Sequence, residues 1–314
     1  MPSPEAAAAP AVLVVGRLYC DLIFTGLDAM PALGRETFAR GLAVTAGGGA
    51  FITAAWLKRL GVEPGIVSDL GTDPFSGVIA DRLQAHGLSA RHIVRHDRPF
   101  VRLTAAMPVA GDRAFLTYLE PDVATAGRGA ALAASGARHV HVAELGTLVR
   151  WPDLPAAARA AGMTVSLDAG WDDALVRDPS ARALIGTVDL FLPNAAEACA
   201  LADLPETAVD RALDHWAARV PGVVVKCGGE GAVAALDGSR HRVPALAVPV
   251  VDATGAGDAF AAGLIAARLG GADARAALVQ AAVCGSLAVR SAGGAEALPS
   301  AGEISDWAER LRAA

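Results

Sequence analysis

Aromatic side chains make up only 5% of the 314 residues, so a chain that is 53% hydrophobic must build its core from Ala, Val and Leu. Lysine is scarcer still. Among 27 basic residues only Lys58 and Lys226 are lysines, an arginine excess that reads as compositional bias. No run of about 18 apolar residues is free of charges or breakers, so no membrane span is expected. The four cysteines, Cys20, Cys199, Cys227 and Cys284, are scattered and form no CxxC pair. Reduced thiols and a cytoplasmic location are the expectation. Residues 1–10 lack the positive n-region of a signal peptide and read as a disordered tail. Basic runs are absent and the net charge is −6, which argues against nucleic acid or an anionic membrane as partner. Also missing are a G-x-x-x-x-G-K-[ST] phosphate loop and a G-x-S-x-G nucleophile elbow.

What is present is an alternation of short apolar runs with helical segments. Strands are expected at 11–15, 66–68, 139–143, 164–168, 189–192 and 222–226. Helices are expected at 50–60, 74–86, 154–161, 195–202, 207–219, 257–269, 272–289 and 303–311. This alternation predicts an α/β fold with a mostly parallel sheet covered by helices on both faces. Two stretches depart from it. Residues 17–45 and 98–120 both read as β-rich; 21–45 is the less regular, with turns at Pro31 and Gly34, whereas 98–120 carry a hairpin signal. Together they are expected to form a small β lid over the carboxyl-end edge of the sheet. A further hairpin is expected near 232–243, and residues 11–314 are read as a single domain.

Chemistry concentrates in Asp252-Ala253-Thr254-Gly255-Ala256-Gly257-Asp258, where two carboxylates bracket small residues just before an apolar helix. A flexible turn feeding a helix N-terminus offers free N–H groups and the positive end of a dipole, an anion site. An aspartate facing a bound anion opposes binding, but it suits a base that deprotonates a hydroxyl attacking a phosphoryl group. Gly255-x-Gly257 leads to Phe260 instead of a third glycine and lies near the end of the chain, unlike a dinucleotide fingerprint.

That string resembles the C-terminal signature of the ribokinase-like (PfkB) carbohydrate kinase family. The resemblance extends to Gly47-Gly48 before the 50–60 helix, Gly71-x-Asp73-Pro74-Phe75-x-Gly77, Pro193-Asn194-Ala195-Ala196-Glu197 and Val225-Lys226-Cys227-Gly228-x-x-Gly231-Ala232. These occur in family order over about residues 12–300. The resemblance implies a ribokinase-like three-layer α/β/α sandwich with a β lid, and transfer of the ATP γ-phosphoryl group to a sugar hydroxyl with Mg²⁺. It implies Asp258 as base and Gly255, Ala256 and Gly257 as the anion hole. It puts Asn194, Lys226, Gly228, Gly231 and Thr254 at the nucleotide, and Glu197 at Mg²⁺. Asp252 and Thr254 fall where many members bind a monovalent cation such as K⁺, with Gly294 and Ser300 as weaker contributors. Asp21, Gly47 and Gly48 fall at the sugar. Family members often dimerise through the lid. One departure stands out: Ile52 occupies the position of an asparagine that touches the sugar in many members.

Other features are read from the residues themselves. Asn194 with Glu197 three residues on is also a helix capping box. Glu144, at the end of a predicted strand, is a further candidate acceptor contact. Arg17, Arg35, Arg40 and Arg102 lie in or near the lid and could meet a phosphate or carboxylate, which leaves a nucleoside or phosphosugar kinase as an alternative. A catalytically silent ligand-binding homologue is the alternative from another class. His139 and His141 would share one strand face, a conceivable metal pair without further ligands nearby in sequence. Trp56, Trp151, Trp171, Trp216 and Trp307 read as packing residues.

Overall fold

A computed structural model describes residues 9–109, 112–120 and 128–313; most of the expected tail and the hairpin tip at 110–111 lie outside them. In chain order the described strands are β1 (Val12–Val15), β2 (Tyr19–Thr25), β3 (Gly41–Gly47), β4 (Pro64–Leu70), β5 (Ile93–Arg95), β6 (Arg102–Val109) and β7 (Asp112–Leu119). They continue as β8 (His139–Val142), β9 (Thr164–Leu167), β10 (Leu190–Phe191), β11 (Gly222–Lys226), β12 (Ala232–Leu236) and β13 (Ser239–Val243). Nine of them form one sheet in the order β13-β12-β11-β10-β9-β8-β1-β4-β5. The pairs from β5 to β11 are parallel, and antiparallel β12 and β13 close one edge.

A parallel sheet covered on both faces needs apolar residues at every position, and all four residues of β1 are buried. Their parity divides them between two cores. Val12 and Val14 pack with the helices Gly49–Arg59, Ala256–Leu269 and Ala274–Ala288. Leu13 and Val15 pack with Leu148, Leu154, Ile185 and Trp216 from helices on the opposite face. The scarcity of aromatics has a direct consequence for spacing. A Cβ added at Gly263 would stand 2.9 Å from Cys284 Sγ and 3.0 Å from Ala281 Cα, so two small-residue helices approach backbone to backbone.

The remaining strands form a second sheet, β3-β2-β6-β7. The stretch 17–45, β-rich but less regular over 21–45, supplies two of its strands: β2 and β3 pair antiparallel, and β6 joins β2 in parallel. The alternation was masked because the outward face is also apolar. Registers Leu22↔Val44, Leu22↔Ala105 and Ala105↔Leu116 put these four residues in one row, and Val44 and Leu116 are exposed. Short elements were also missed, namely β5 and the helices Leu145–Arg150, Asp173–Arg177 and Pro179–Ile185. Among the described residues no helix is long and apolar enough to cross a membrane.

Candidate active site

The carboxyl ends of β1, β8, β9, β10 and β11 open onto one cavity of about 900 Å³. The sheet grows from β1 to β4 and β5 on one side and from β8 to β11 on the other, so the order of strand addition reverses between β1 and β8 while the strands stay parallel. Ligands of open α/β sheets bind at such a point. Arg17 and Glu144 stand just past those two strands, Asp168 just past β9, Asn194 past β10, and Lys226 ends β11; all line the cavity.

The helix Ala256–Leu269 starts at the cavity wall. Its N-cap, Gly255, has φ 75°, a left-handed conformation that favours glycine. A Cβ there would also meet Ile52 Cδ1 at 2.9 Å and Gly294 Cα at 3.0 Å. Ile52 is therefore buried against the back of the turn and is not on the cavity wall. First-turn N–H groups have no carbonyl one turn earlier, so those of Gly257 and Asp258 are available to an anion. Asp258 lines the cavity, and its pKa is pushed up to about 7, first by burial and then by the Asp168 carboxylate.

Lys226 Nζ donates to Asp168 Oδ2 at 2.5 Å, and Asp168 Oδ1 accepts from Ala169 N at 2.8 Å. A Cβ on Gly257 would stand 3.0 Å from the same ammonium, which places Lys226 beside the N–H turn. Burial opposes the charge on Lys226, but Asp168, Glu197 and Asp258 together raise its pKa. The capping box at Asn194 is formed: Glu197 N donates to Asn194 Oδ1 at 2.9 Å, and Asn194 N donates to Glu197 Oε2 at 2.8 Å. Glu197 also lines the cavity, its pKa raised by burial and by Asp168.

Glu144 is buried at the start of the helix Leu145–Arg150, where it accepts from Arg17 N at 3.1 Å and from the Thr147 hydroxyl. Gly49 lets the two ends of the site approach, since a Cβ there would lie 2.8 Å from Asp258 Oδ1 and 3.1 Å from Ala143 Cβ. Gly228 and Gly231 are on the wall as well, but Gly231 has a structural reason to lack a side chain: a Cβ would fall 2.0 Å from Val243 O. Beyond this turn the wall is an apolar slot of Leu246, Val248, Val250, Ala282 and Val289, which nothing in the sequence pattern singled out.

Other residues expected at the site lie off this wall. Asp21, Gly47, Gly48, Asp252 and Thr254 do not line the cavity. Asp21 stands directly over Gly47, where an added Cβ would be 1.8 Å from Asp21 Oδ2, and a Cβ on Gly48 would be 2.5 Å from Arg17 O. Burial, and next the charge of Asp252, push the Asp21 pKa up to about 7. Asp252 Oδ1 accepts from Thr254 N at 2.9 Å and Oγ1 at 2.7 Å, while Oδ2 accepts from Gly293 N at 3.0 Å. The same loop offers Gly294 O to Trp56 Nε1 at 2.8 Å, and its Glu296 carboxylate accepts from the Thr45 hydroxyl of β3. Ser300 is exposed and accepts from Glu303 N at the start of the last helix.

Three further expectations are resolved by position. Arg35 and Arg40 are exposed, and Arg40 pairs with Asp28; Arg17 is on the cavity wall and Arg102 is buried under Phe100. Trp171 is not a packing residue: it is 55% exposed and lines the cavity, whereas Trp56, Trp151 and Trp216 are buried. His139 and His141 share Ser166 Oγ at 2.8 Å each, and burial drives both rings to a pKa of about 3, so they are neutral core residues. Among the described residues no group of three or more His, Cys, Asp or Glu side chains converges as a metal cage.

The family model for pfkB family carbohydrate kinases matches residues 10–301, and the chain belongs to that family. It is 31% identical over 292 residues to an ATP-dependent ribose-1-phosphate kinase from Halopiger xanaduensis, covering 88% of this chain and 90% of that protein. Against a 2-dehydro-3-deoxygluconokinase from Bacillus subtilis it is 28% identical over 301 residues, with 88% and 89% covered. Among solved structures, a candidate ribokinase II from E. coli in complex with ATP and Mg²⁺ superposes with a TM-score of 0.78 at 26% identity, covering 96% and 99% of the chains. Arabidopsis thaliana ribokinase complexed with ribose and ATP has the same fold, with a TM-score of 0.82 at 23% identity and the same coverage.

Proposed function

We propose that this carbohydrate kinase transfers the γ-phosphoryl group of ATP to a hydroxyl of a sugar or sugar-like acceptor, with Asp258 as general base. The observation that carries this reading is the placement of Asp258 on the cavity wall, in the first turn of a helix that starts there, at a pKa of about 7. A base near neutral pH is deprotonated in a useful fraction and still accepts a proton as the oxygen–phosphorus bond forms. The apolar slot near Val248 suits a nucleobase, and Lys226 with the Gly255–Gly257 turn meets negative charge between base and acceptor. The names of the relatives, a ribose-1-phosphate kinase and a 2-dehydro-3-deoxygluconokinase, support an acceptor of sugar type.

Mg²⁺, when bound, neutralises phosphate charge. The wall fits it: carboxylates of Asp168 and Glu197 with a single lysine beside them are oxygen donors with excess negative charge, and Mg²⁺ commonly takes one or two carboxylates plus phosphate. Asp252 and Thr254, held against Gly293, are assigned to a K⁺ site behind the turn. The deciding experiment is ADP release from ATP over a panel of sugars, sugar phosphates, sugar acids and nucleosides, with Mg²⁺ or K⁺ withheld in parallel. No stimulated release from any acceptor would leave a ligand-binding homologue in its place.

Asp21, reached by movement of the small sheet, is assigned two acceptor hydroxyls. Gly47→Ala tests it, because the methyl meets the carboxylate and overpacking costs about 1–3 kcal/mol. The acceptor KM should rise at least about tenfold while that for ATP stays unchanged. Equal acceptor KM values for variant and wild type would remove Asp21 from the acceptor site. The exposed row of Val44, Leu22, Ala105 and Leu116 is assigned to pairing with a second copy of the chain. Sedimentation should give a dimer for the native protein and a monomer for Leu116→Glu; a native monomer would sink the assignment.

A further inference from the structure

We propose that the acceptor itself carries an anionic group, a phosphate or a carboxylate, and that Arg17 at the end of β1 binds it. This rests on the kinase reading above and narrows its acceptor.

Among the described residues, the cations on the cavity wall are Arg17 and Lys226. Lys226 is committed to the phosphoryl end, tied to Asp168 and set against Gly257. Arg17 stands at the other end. Its backbone N–H donates to Glu144, and its guanidinium nitrogens would be 3.1 and 3.4 Å from a Cβ on Gly146, so a side chain at 146 would press on the fork. Ala143 links this end to the base: its Cβ would be 2.8 Å from a Cβ on Gly16 and 3.1 Å from one on Gly49, and Gly49 abuts Asp258. A small acceptor with its hydroxyl at Asp258 therefore has Arg17 within its own length.

The charge pattern makes this cation specific. Five carboxyl groups line the cavity, those of Glu144, Asp168, Asp172, Glu197 and Asp258. A neutral sugar would need no fixed cation there, whereas an anion would be repelled without one. Behind Arg17 a second recess of about 30 Å³ is lined by Arg102, Arg128 and Arg150 as well as Arg17, facing Asp69. Arg102 stacks on Phe100 at 4.6 Å, and Arg128 donates to Asp69 at 2.6 Å. Arg17, Arg102 and Arg150 each have contacts of their own within the protein. Tyr19, on the same wall, is hydrogen-bonded to the Arg17 side chain. A guanidinium fork pairs bidentately with phosphate or carboxylate, which an ammonium cannot do.

The test is ADP release by the native protein on matched acceptors: pentoses against their phosphate monoesters, and aldoses against the corresponding sugar acids. One anionic class should exceed its neutral partner in kcat/KM by about 10² or more, since a site built around a charged hydrogen bond rejects analogues that lack it. Preference for the monoesters identifies phosphate as the group, and preference for the acids identifies carboxylate. Arg17→Met should abolish the ratio by raising the anionic acceptor's KM and leave the ATP KM unchanged. Arg17→Lys should recover only part of it. Native protein that uses a neutral sugar or nucleoside as well as any anionic acceptor would overturn the proposal, whatever the variants do. No ADP release from either class would instead bring down the kinase reading, and this inference with it.

Discussion

Asp258→Asn lowers turnover by at least about a hundredfold, leaves ATP binding within a fewfold, and makes the protein more stable at pH 8. The two effects have one cause. The native carboxyl has a pKa of about 7, against an ordinary value of 3.8, because it is buried beside Asp168 and near Glu144 and Glu197. Between those values the folded state holds a proton that the unfolded state releases. Stability from this group is thus fully present below about pH 4, falls as pH rises, and is lost above about pH 7. Asparagine mimics the protonated acid at every pH. The variant should gain on the order of 3 kcal/mol in urea denaturation at pH 8, with the gain vanishing near pH 4. The native kcat/KM should fall as pH drops below about 7, and steeply, because Asp21 titrates in the same range and the Glu197 pKa is also raised. Normal turnover in the variant removes the base assignment; unchanged stability at pH 8 removes the account of its pKa.

Lys226→Met is expected to be damaging in both respects. The ammonium is the only cation on the wall near the N–H turn, and it donates to Asp168 at 2.5 Å. Without it a buried carboxylate is left uncompensated, at a cost of about 3–5 kcal/mol. Acid pH should return part of that loss, because Glu197 and Asp258, whose pKa values are raised, can then bind protons. Adding Asp168→Asn should restore stability but not turnover, for the phosphoryl group still lacks its cation. Loss of an electrostatic donor of this kind is worth about 10²–10³ in rate. The measurements are urea denaturation at pH 5 and pH 8 and ADP release for the single and double variants. A single variant as stable as wild type, or a double variant with full turnover, would contradict the role given to the pair.

The large sheet was legible because its strands are short apolar runs punctuated by glycine and its helices are longer and separately bounded. The second sheet was only half legible. Residues 98–120 carry a hairpin pattern, but Leu22, Phe24, Leu42 and Val44 put apolar residues on its outward face and conceal the alternation of β2 and β3. At the site, Gly255–Asp258 and Asn194–Glu197 were legible because one local stretch contains each whole device. Asp168 and Trp171 were not, since only the folded sheet brings the end of β9 to the wall, and Arg17 was legible only as one of four lid arginines, which the same sheet sets apart by bringing it there. Asp168 had a partial signal, as the final residue of a predicted strand. The apolar slot of Leu246, Val248 and Val289 had none, for such residues read equally well as core.

Glu197 and Asp258 lie in the first turns of helices, while five side chains of the wall, Arg17, Glu144, Asp168, Asn194 and Lys226, stand at or just beyond the carboxyl ends of five different strands. The parallel ladder of β1, β8, β9, β10 and β11 therefore sets their mutual spacing, whatever the loops prefer. Drift in one-residue steps is forbidden to such a frame, because a slip would turn Val12 and Val14 toward the wrong core. The residue at a strand's tip is held by neither core. The tips can thus be rewritten one at a time, and an acceptor preference can change while the scaffold stays as it is.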